Sequence, residues 1–356
     1  MADNQFERSV DSVSRRKFIA ATGALGTMAA AGCLGNASSD GSTSPLTADG
    51  SSTVYPITSD GASVWNSNPP ADDEEYWGPG QYDIDTDKPM ADYWAGLYGF
   101  EANDDGTPPF QVNVGLSHSG TGIEKVANGQ VDIGDASSGV ADELPDASQE
   151  ELDKYVDHVV GRDGQPVVVS KEIYDAGVTG LNGDQVRGIY TGEITNWSEI
   201  DKYSGPDKEI QAVGRAVGSG TDTAFRANML GDPEAEMSVD VRQGQNQQVQ
   251  TTVANSDNAI AYMALAFVDE NRVPAISLTL DGTTYTLGEN LGSKDYPLSR
   301  DLHCYTYEDT SEKEAAFIRM LLSEFGQQNF VAPNNYFMIP PEEREEQLAK
   351  LPEPSN

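Results

Sequence analysis

From residue 111 to the end of the chain, strand and helix signals alternate. That alternation makes this an α/β protein of mostly parallel sheets with helices on both faces. Short apolar runs such as VVVS and AISLTL supply buried strands between the charged stretches. The length of 356 residues allows two ordinary domains, each able to bury a core of its own.

The N-terminal 32 residues read as a targeting segment. Arg15-Arg16-Lys17-Phe18-Ile19 is a twin-arginine pattern, and the apolar stretch from Ile19 to Ala31 is too short for a permanent membrane helix. It ends on Ala30-Ala31-Gly32-Cys33, a lipobox pattern with cleavage before Cys33 and lipid on that cysteine. The competing reading is a short anchor that is never cleaved. Both tether the protein outside the cell, on the outer face of the membrane. With Cys33 lipidated, Cys304 has no disulfide partner and reads as a small buried core residue. Residues 33–46 are rich in Gly, Ser and Thr and read as a flexible tether.

Residues 66–109 mix carboxylates, Pro, Gly and many aromatics, and read as a surface insertion with a short helix at 90–99, pinned to the body by its aromatics. The run Asp72-Asp73-Glu74-Glu75 lacks the spacing of a Ca²⁺ loop and reads as a solvated acidic face. Strands follow at 111–117, 131–137 and 166–170, with mixed signals at 150–159. A helix at 183–192 ends on a glycine, a strand covers 209–215, and helices cover 221–229 and 245–256. A strand at 259–263, a strand–turn–strand pair at 275–287 and helices at 311–328 and 341–350 complete the chain.

The formal net charge is −36, with the acids spread between apolar runs along the whole chain. That pattern reads as a folded protein with an acidic, lysine-poor surface of the halophilic kind, soluble through its charge and relieved of self-repulsion by salt. It argues against nucleic acid as a partner.

Three clusters rich in Ser, Thr and Gly carry the chemistry: Gly50-Ser51-Ser52-Thr53-Val54-Tyr55-Pro56, Ser117-His118-Ser119-Gly120-Thr121-Gly122, and Arg215-Ala216-Val217-Gly218-Ser219-Gly220-Thr221. Each follows a strand or opens a helix. A helix start offers unpaired N–H groups and partial positive charge, glycine admits close approach to the backbone, and hydroxyls add donors. Together they suit a small oxyanion. One such cluster is ordinarily an N-cap; three in alternating βα units point to a site. Arg215, in a chain poor in bases, adds a fork that pairs two anion oxygens. No P-loop or dinucleotide fingerprint is present. His118, His158 and His303 lack metal-ligand spacing, and His118, between two serines, is not placed as a catalytic base.

Those clusters, with GIYTGEITNW at 188–197, YPLSRDLHCYT at 296–306 and FIRMLLSEFGQQNF at 317–330, resemble the periplasmic-type phosphate-binding protein of high-affinity phosphate ABC importers. The resemblance runs from Leu46 to Leu351, interrupted by the 66–109 block. It implies a two-lobed, type II periplasmic-binding-protein fold, each lobe a mixed, mostly parallel sheet flanked by helices. Lobe 1 would combine 47–162 with 269–356, lobe 2 would be 163–268, and two hinge crossings would fall near 160–166 and 264–274. Carried over by position, Thr53, the Val54 N–H, Ser119, Arg215, Ser219, Gly220 and Thr221 would hold phosphate, with Ser52 as a further donor. Many members have an aspartate where this chain has Ser137. Asp135 lies two residues earlier, on the same side of a strand, so Ser137 and Asp135 both stand as acceptors of the ligand proton.

The implied protein is a monomeric binding protein without catalysis, metal or cofactor, which delivers phosphate to the permease subunits of an ABC importer. Receptors for sulfate, molybdate or tungstate compete with that reading. So does a secreted phosphatase-like hydrolase, for which the sequence offers neither a metal constellation nor an activated nucleophile.

Overall fold

The computed structural model describes residues 44–355. The targeting segment, Cys33 and the tether up to residue 43 lie outside the described residues. Within 44–355, twelve strands, numbered in chain order, form three sheets.

The first sheet runs β2 (Val112–Val114), β1 (Leu46–Gly50), β3 (Ile133–Ala136), β12 (Ser299–Tyr307), β4 (Tyr155–Gly164). Its first three strands are parallel and β12 is antiparallel to both of its neighbours. The second sheet runs β5 (Val167–Val169), β9 (Ala259–Tyr262), β7 (Gln211–Arg215), β8 (Val241–Gln243). There β9, β7 and β8 are parallel and β5 is antiparallel. The third is small: β11 (Thr283–Tyr285), β10 (Ser277–Leu280) and β6 (Gly180–Asn182).

The third sheet corrects the expected lobe boundary. The second crossing was expected near 264–274, with 269 onward in the first lobe. Instead β10 pairs in parallel with β6, so 277–285 stays with the second lobe. The chain returns to the first sheet only at β12. The two connections meet there: Gln165 N–H donates to the Leu298 carbonyl at 3.1 Å, and the Tyr296 hydroxyl donates to the Gln165 carbonyl at 2.8 Å. The strand–turn–strand signal at 275–287 was legible; its partner, the short β6, was not.

Local chemistry sets the element ends. The helix Gly183–Thr191 starts on a reciprocal Asn182–Gln185 capping box and stops on Gly192 at φ 82°. The ambiguous 150–159 stretch divides into the short helix Gln149–Leu152, boxed by Ser148 and Glu151, and the start of β4. The expected helix at 311–328 is broken. Helix Glu312–Leu322 ends at Ser323, whose extended backbone (ψ 163°) lets its hydroxyl cap the next turn. A π-type turn, Gln327–Val331, follows.

The aromatic block packs as expected. It includes the helix Met90–Gly96. Trp77, 1% exposed, meets the Phe325 ring edge-on at 4.9 Å between centroids, and Tyr82 meets it at 5.3 Å. Trp65, fully buried, packs tilted against Phe110 and edge-on against Phe317. Rings of this size supply much of the burial that holds such a segment down.

Candidate anion-binding site

The three clusters come together where the carboxyl ends of the parallel strands of both lobes face each other. Strand β1 ends on Gly50 at φ +147°, where a Cβ would lie 2.1 Å from the Asp135 carbonyl oxygen. Only glycine fits, and it turns Ser51–Val54 across the end of the sheet into the helix Tyr55–Ser67. The second cluster opens the helix Ser119–Ala127. The third opens the helix Gly220–Phe225, which continues directly into the π-type turn Arg226–Leu230. At none of these three starts does a capping side chain accept from a helix N–H, although serines and threonines stand at all of them. The exit of β3 supplies Ser137 and Ser138, both buried.

The side chains meet across the lobe boundary. The Thr53 and Thr221 hydroxyls are 3.1 Å apart. Ser51 Oγ donates to Ser137 Oγ at 2.9 Å, and Ser137 N–H donates to Ser119 Oγ at 3.1 Å. A Cβ on Gly220 would stand 2.2 Å from Ser119 Oγ, 2.6 Å from Ser138 Oγ and 2.8 Å from Ser137 Oγ. So the backbone of the third cluster lies directly against three hydroxyls of the first lobe, and no larger residue fits there. Backbone contact agrees: Gly120 N–H donates to the Gly218 carbonyl at 3.4 Å.

Two arginines flank this cluster and their surroundings differ. Arg300 Nε and Nη2 donate to Asp163 Oδ2 at 3.0 and 2.6 Å, so its charge is neutralised by a buried carboxylate. Nη2 also reaches Thr53 Oγ1 at 3.2 Å, and Nη1 reaches Ser137 Oγ at 3.3 Å. Arg215, 1% exposed, donates to neutral acceptors: the Gln243 and Gly244 carbonyls, Asn246 Oδ1 at 2.7 Å and Ser52 Oγ at 3.2 Å. Among the described residues no carboxylate lies within ion-pair distance of it. Burial, and then the like charge of Arg300, lower its pKa to about 10. The guanidinium is still cationic near neutral pH. A buried cation with no anionic partner costs several kcal/mol unless something compensates it.

Asn246 joins the pieces. Its Nδ2 donates to Ser52 Oγ and Thr53 Oγ1, at 3.1 and 3.2 Å, while its Oδ1 accepts from Arg215. Behind Arg215, its backbone N–H donates to the Tyr262 hydroxyl, which in turn donates to Asp222. Asp222 also holds Arg226 at 2.7 Å.

Of the residues singled out in the sequence, Ser52, Thr53, Val54, Ser119, Ser137, Arg215, Ser219, Gly220 and Thr221 lie in or border this cluster; each is buried. Asp135 does not join them. Its carboxyl accepts from Thr58 Oγ1 at 2.8 Å and from Cys304 Sγ at 3.5 Å, beneath the first site helix. Full burial raises its pKa to about 7, with only partial relief from the Thr58 hydroxyl. Alternation along the strand was the argument for Asp135, but β3 ends at Ala136 and the chain turns before Ser137. Cys304, buried, is the thiol beside it. Sequence reasoning missed Arg300, Asp163 and Asn246. Arg300 stands inside YPLSR and was findable as a second arginine in a base-poor chain; Asp163 and Asn246 carried no signal of their own.

The remaining candidates fall elsewhere. His158 bonds Thr310 and His303 bonds Asp157. Among the described residues no group of three or more His, Cys, Asp or Glu side chains is placed to hold a metal ion. No described helix is long and apolar enough to cross a membrane.

Residues 86–324 match the model of the PBP superfamily domain. Over 232 residues the chain is 30% identical to the phosphate-binding protein PstS of Bacillus subtilis (strain 168), covering 65% of this chain and 72% of that one. The chain belongs to the phosphate-binding protein family of the PBP superfamily. The family's PstS of Staphylococcus haemolyticus (strain JCSC1435) is 25% identical over 226 residues, covering 62% of this chain and 70% of its own. A solved structure sharing the family fold is that of a putative phosphate ABC transporter substrate-binding protein with bound phosphate from Clostridium perfringens. It superposes with a TM-score of 0.62 at 24% identity, over 84% of this chain and all of the other. The α/β architecture of flanked, mixed sheets is therefore the family fold.

Proposed function

We propose that this protein captures inorganic phosphate between its two lobes and delivers it to an ABC importer, acting by binding and without catalysis. One observation carries the reading furthest: Arg215 is buried without a carboxylate, inside a ring of hydroxyls and helix starts. An arriving oxyanion supplies the missing charge. Each charge-assisted hydrogen bond in a closed cleft is worth roughly 1.5–3 kcal/mol. A handful of these, less the cost of dehydrating the ion and closing the lobes, reaches micromolar affinity or better, about −8 kcal/mol. The relatives, phosphate-binding proteins and a putative phosphate transporter component, support the same ligand and the same delivery partner.

The ligand donors on this reading are Ser52, Thr53, the Val54 N–H, Ser119, Ser137, Arg215, Ser219, Gly220 and Thr221, with Arg300 as a second cation. The setting is the outer face of the cell membrane, with lipid on Cys33, a monomeric protein, and an acidic surface suited to concentrated salt. Alanine at Cys33 then releases the protein into the medium, and mass spectrometry of the wild type finds diacylglycerol on that residue.

A second reading keeps the cleft and changes the anion. Asp135 is spent on Thr58 and Cys304, so the expected carboxylate is absent from the hydroxyl ring. That favours an unprotonated oxyanion such as sulfate. Calorimetric titration of the ligand-stripped protein with phosphate, sulfate and molybdate in concentrated KCl separates the two. One-to-one binding that is tight for phosphate supports the main reading; tight sulfate or molybdate binding supports the second. No binding of any oxyanion overturns both.

A further inference from the structure

In the hydroxyl ring, Ser138 has its proton committed to a carboxylate. Ser138 Oγ is among the three oxygens closest to the Gly220 backbone, 2.6 Å from where a Cβ would stand, and Ser138 is 5% exposed. Unlike Ser119 and Ser137, it donates outward, to Glu143 Oε1. Glu143 belongs to the short helix Val140–Glu143, which β3 feeds through Gly139. The Thr223 hydroxyl of the opposite lobe lies near it as well. Its other oxygen faces Gly120, 3.0 Å from a Cβ position there. The charged groups around it are Asp142 on its own helix and Asp222 across the cleft; both oppose further negative charge. Burial raises the Glu143 carboxyl above its ordinary pKa, while the two hydroxyls pull it back.

A hydroxyl has one hydrogen and two lone pairs. Once the Ser138 hydrogen lies on Glu143, only lone pairs face the ring. We propose that the Ser138–Glu143 pair is the acceptor for the ligand proton, so that the site selects a tetrahedral oxyanion bearing an O–H. The inference rests on the phosphate reading above and names the residues that give it specificity. An anion carrying a proton completes the chain ligand O–H to Ser138 to Glu143. Sulfate, with no proton at neutral pH, sets an oxygen lone pair against Ser138 Oγ. Its binding then requires Ser138 to turn away from Glu143 and leave that buried carboxylate short of a donor. A site built around one hydrogen bond rejects the ligand that lacks it far more strongly than a shape mismatch does. Neither Ser137, which receives hydrogen bonds from Ser51 and Arg300, nor Asp135, which lies outside the ring, is placed for this task.

The test is calorimetry at pH 7 and fixed ionic strength with phosphate, sulfate and monofluorophosphate. Fluorophosphate matches hydrogen phosphate in charge and shape but has fluorine where the O–H would be. The wild type is expected to bind phosphate at least 100-fold tighter than sulfate and at least tenfold tighter than fluorophosphate. In Glu143→Gln and in Ser138→Ala both ratios are expected to shrink at least tenfold. Glutamine at 143 offers Ser138 an N–H and frees its hydrogen to turn into the ring. Wild-type binding of phosphate and fluorophosphate within threefold of each other overturns the proposal without any variant. Unchanged ratios in both variants also overturn it, while tight phosphate binding by the wild type leaves the phosphate reading standing. A wild type that binds no oxyanion removes that reading and the inference with it.

Discussion

The helices at the surface and the helices at the site all have polar, hydroxyl- or amide-bearing residues at or beside their starts and use them differently. Ser148, Asn182 and Ser311 each close a reciprocal capping box, so the first-turn donors of their helices are spent on the chain itself. At Val54, His118 and Ser219 no side chain caps the helix, and the nearby hydroxyls turn toward one another and toward the opposite lobe. A cap made locally contributes to stability whether or not a ligand is present. Donors left uncapped at a buried junction contribute only when something else accepts from them. The two arginines repeat the lesson: Arg300 is balanced by Asp163 and belongs partly to the fold, whereas Arg215 has only neutral acceptors and, on the proposed reading, is left for the anion.

The largest break in this comparison is Arg215→Met. Losing the buried cation is expected to weaken phosphate binding by about 100-fold or more, roughly 3 kcal/mol. Ligand-free stability should change by about 1 kcal/mol at most, because relief from the uncompensated charge is offset by the loss of its bonds to Ser52, Asn246 and two carbonyls. Calorimetry and urea unfolding of the ligand-free protein check the two halves. Next is Gly220→Ala, which drives a methyl into the Ser119, Ser137 and Ser138 hydroxyls. The lobes must then close less far, and phosphate affinity should fall by roughly 30-fold, about 2 kcal/mol.

A smaller effect separates the fold's carboxyl from the site's. Asp135 has a folded-state pKa raised from 3.8 to about 7. A raised carboxyl favours the folded state when protonated, so its contribution is fully present below about pH 4 and fades as pH rises to about 7. Asp135→Asn should therefore stabilise the protein more at pH 8 than at pH 4. A difference of at least one pKa unit, about 1.4 kcal/mol, is expected from unfolding curves at the two pH values. Phosphate affinity should change little. The smallest effect is Ser311→Ala. Loss of that surface cap should cost about 1 kcal/mol of stability and leave phosphate binding unaltered.

Much of this was legible in the sequence because it is written locally. Alternating βα signals gave the sheet class, and the Ser/Thr/Gly clusters gave the helix starts that meet at the junction. What was not legible depends on partners distant in sequence. The lobe boundary turned on β6, three residues long, pairing with β10 from nearly a hundred positions later. Asp135 and Ser137 looked alike by alternation, yet the chain turns between them and sends only the serine to the ring. Asn246 is an ordinary polar residue at the start of the helix Asn246–Ala254 until the fold lays it between Arg215 and Thr53.

The most direct test of anion capture at Arg215 is a crystal structure of the phosphate complex. One tetrahedral anion is expected at the lobe junction, within hydrogen-bond distance of the Arg215 guanidinium, the Thr53, Ser119 and Thr221 hydroxyls and the uncapped helix starts. An anion bound elsewhere, with Arg215 still resting only on Ser52, Asn246 and backbone carbonyls, would contradict it.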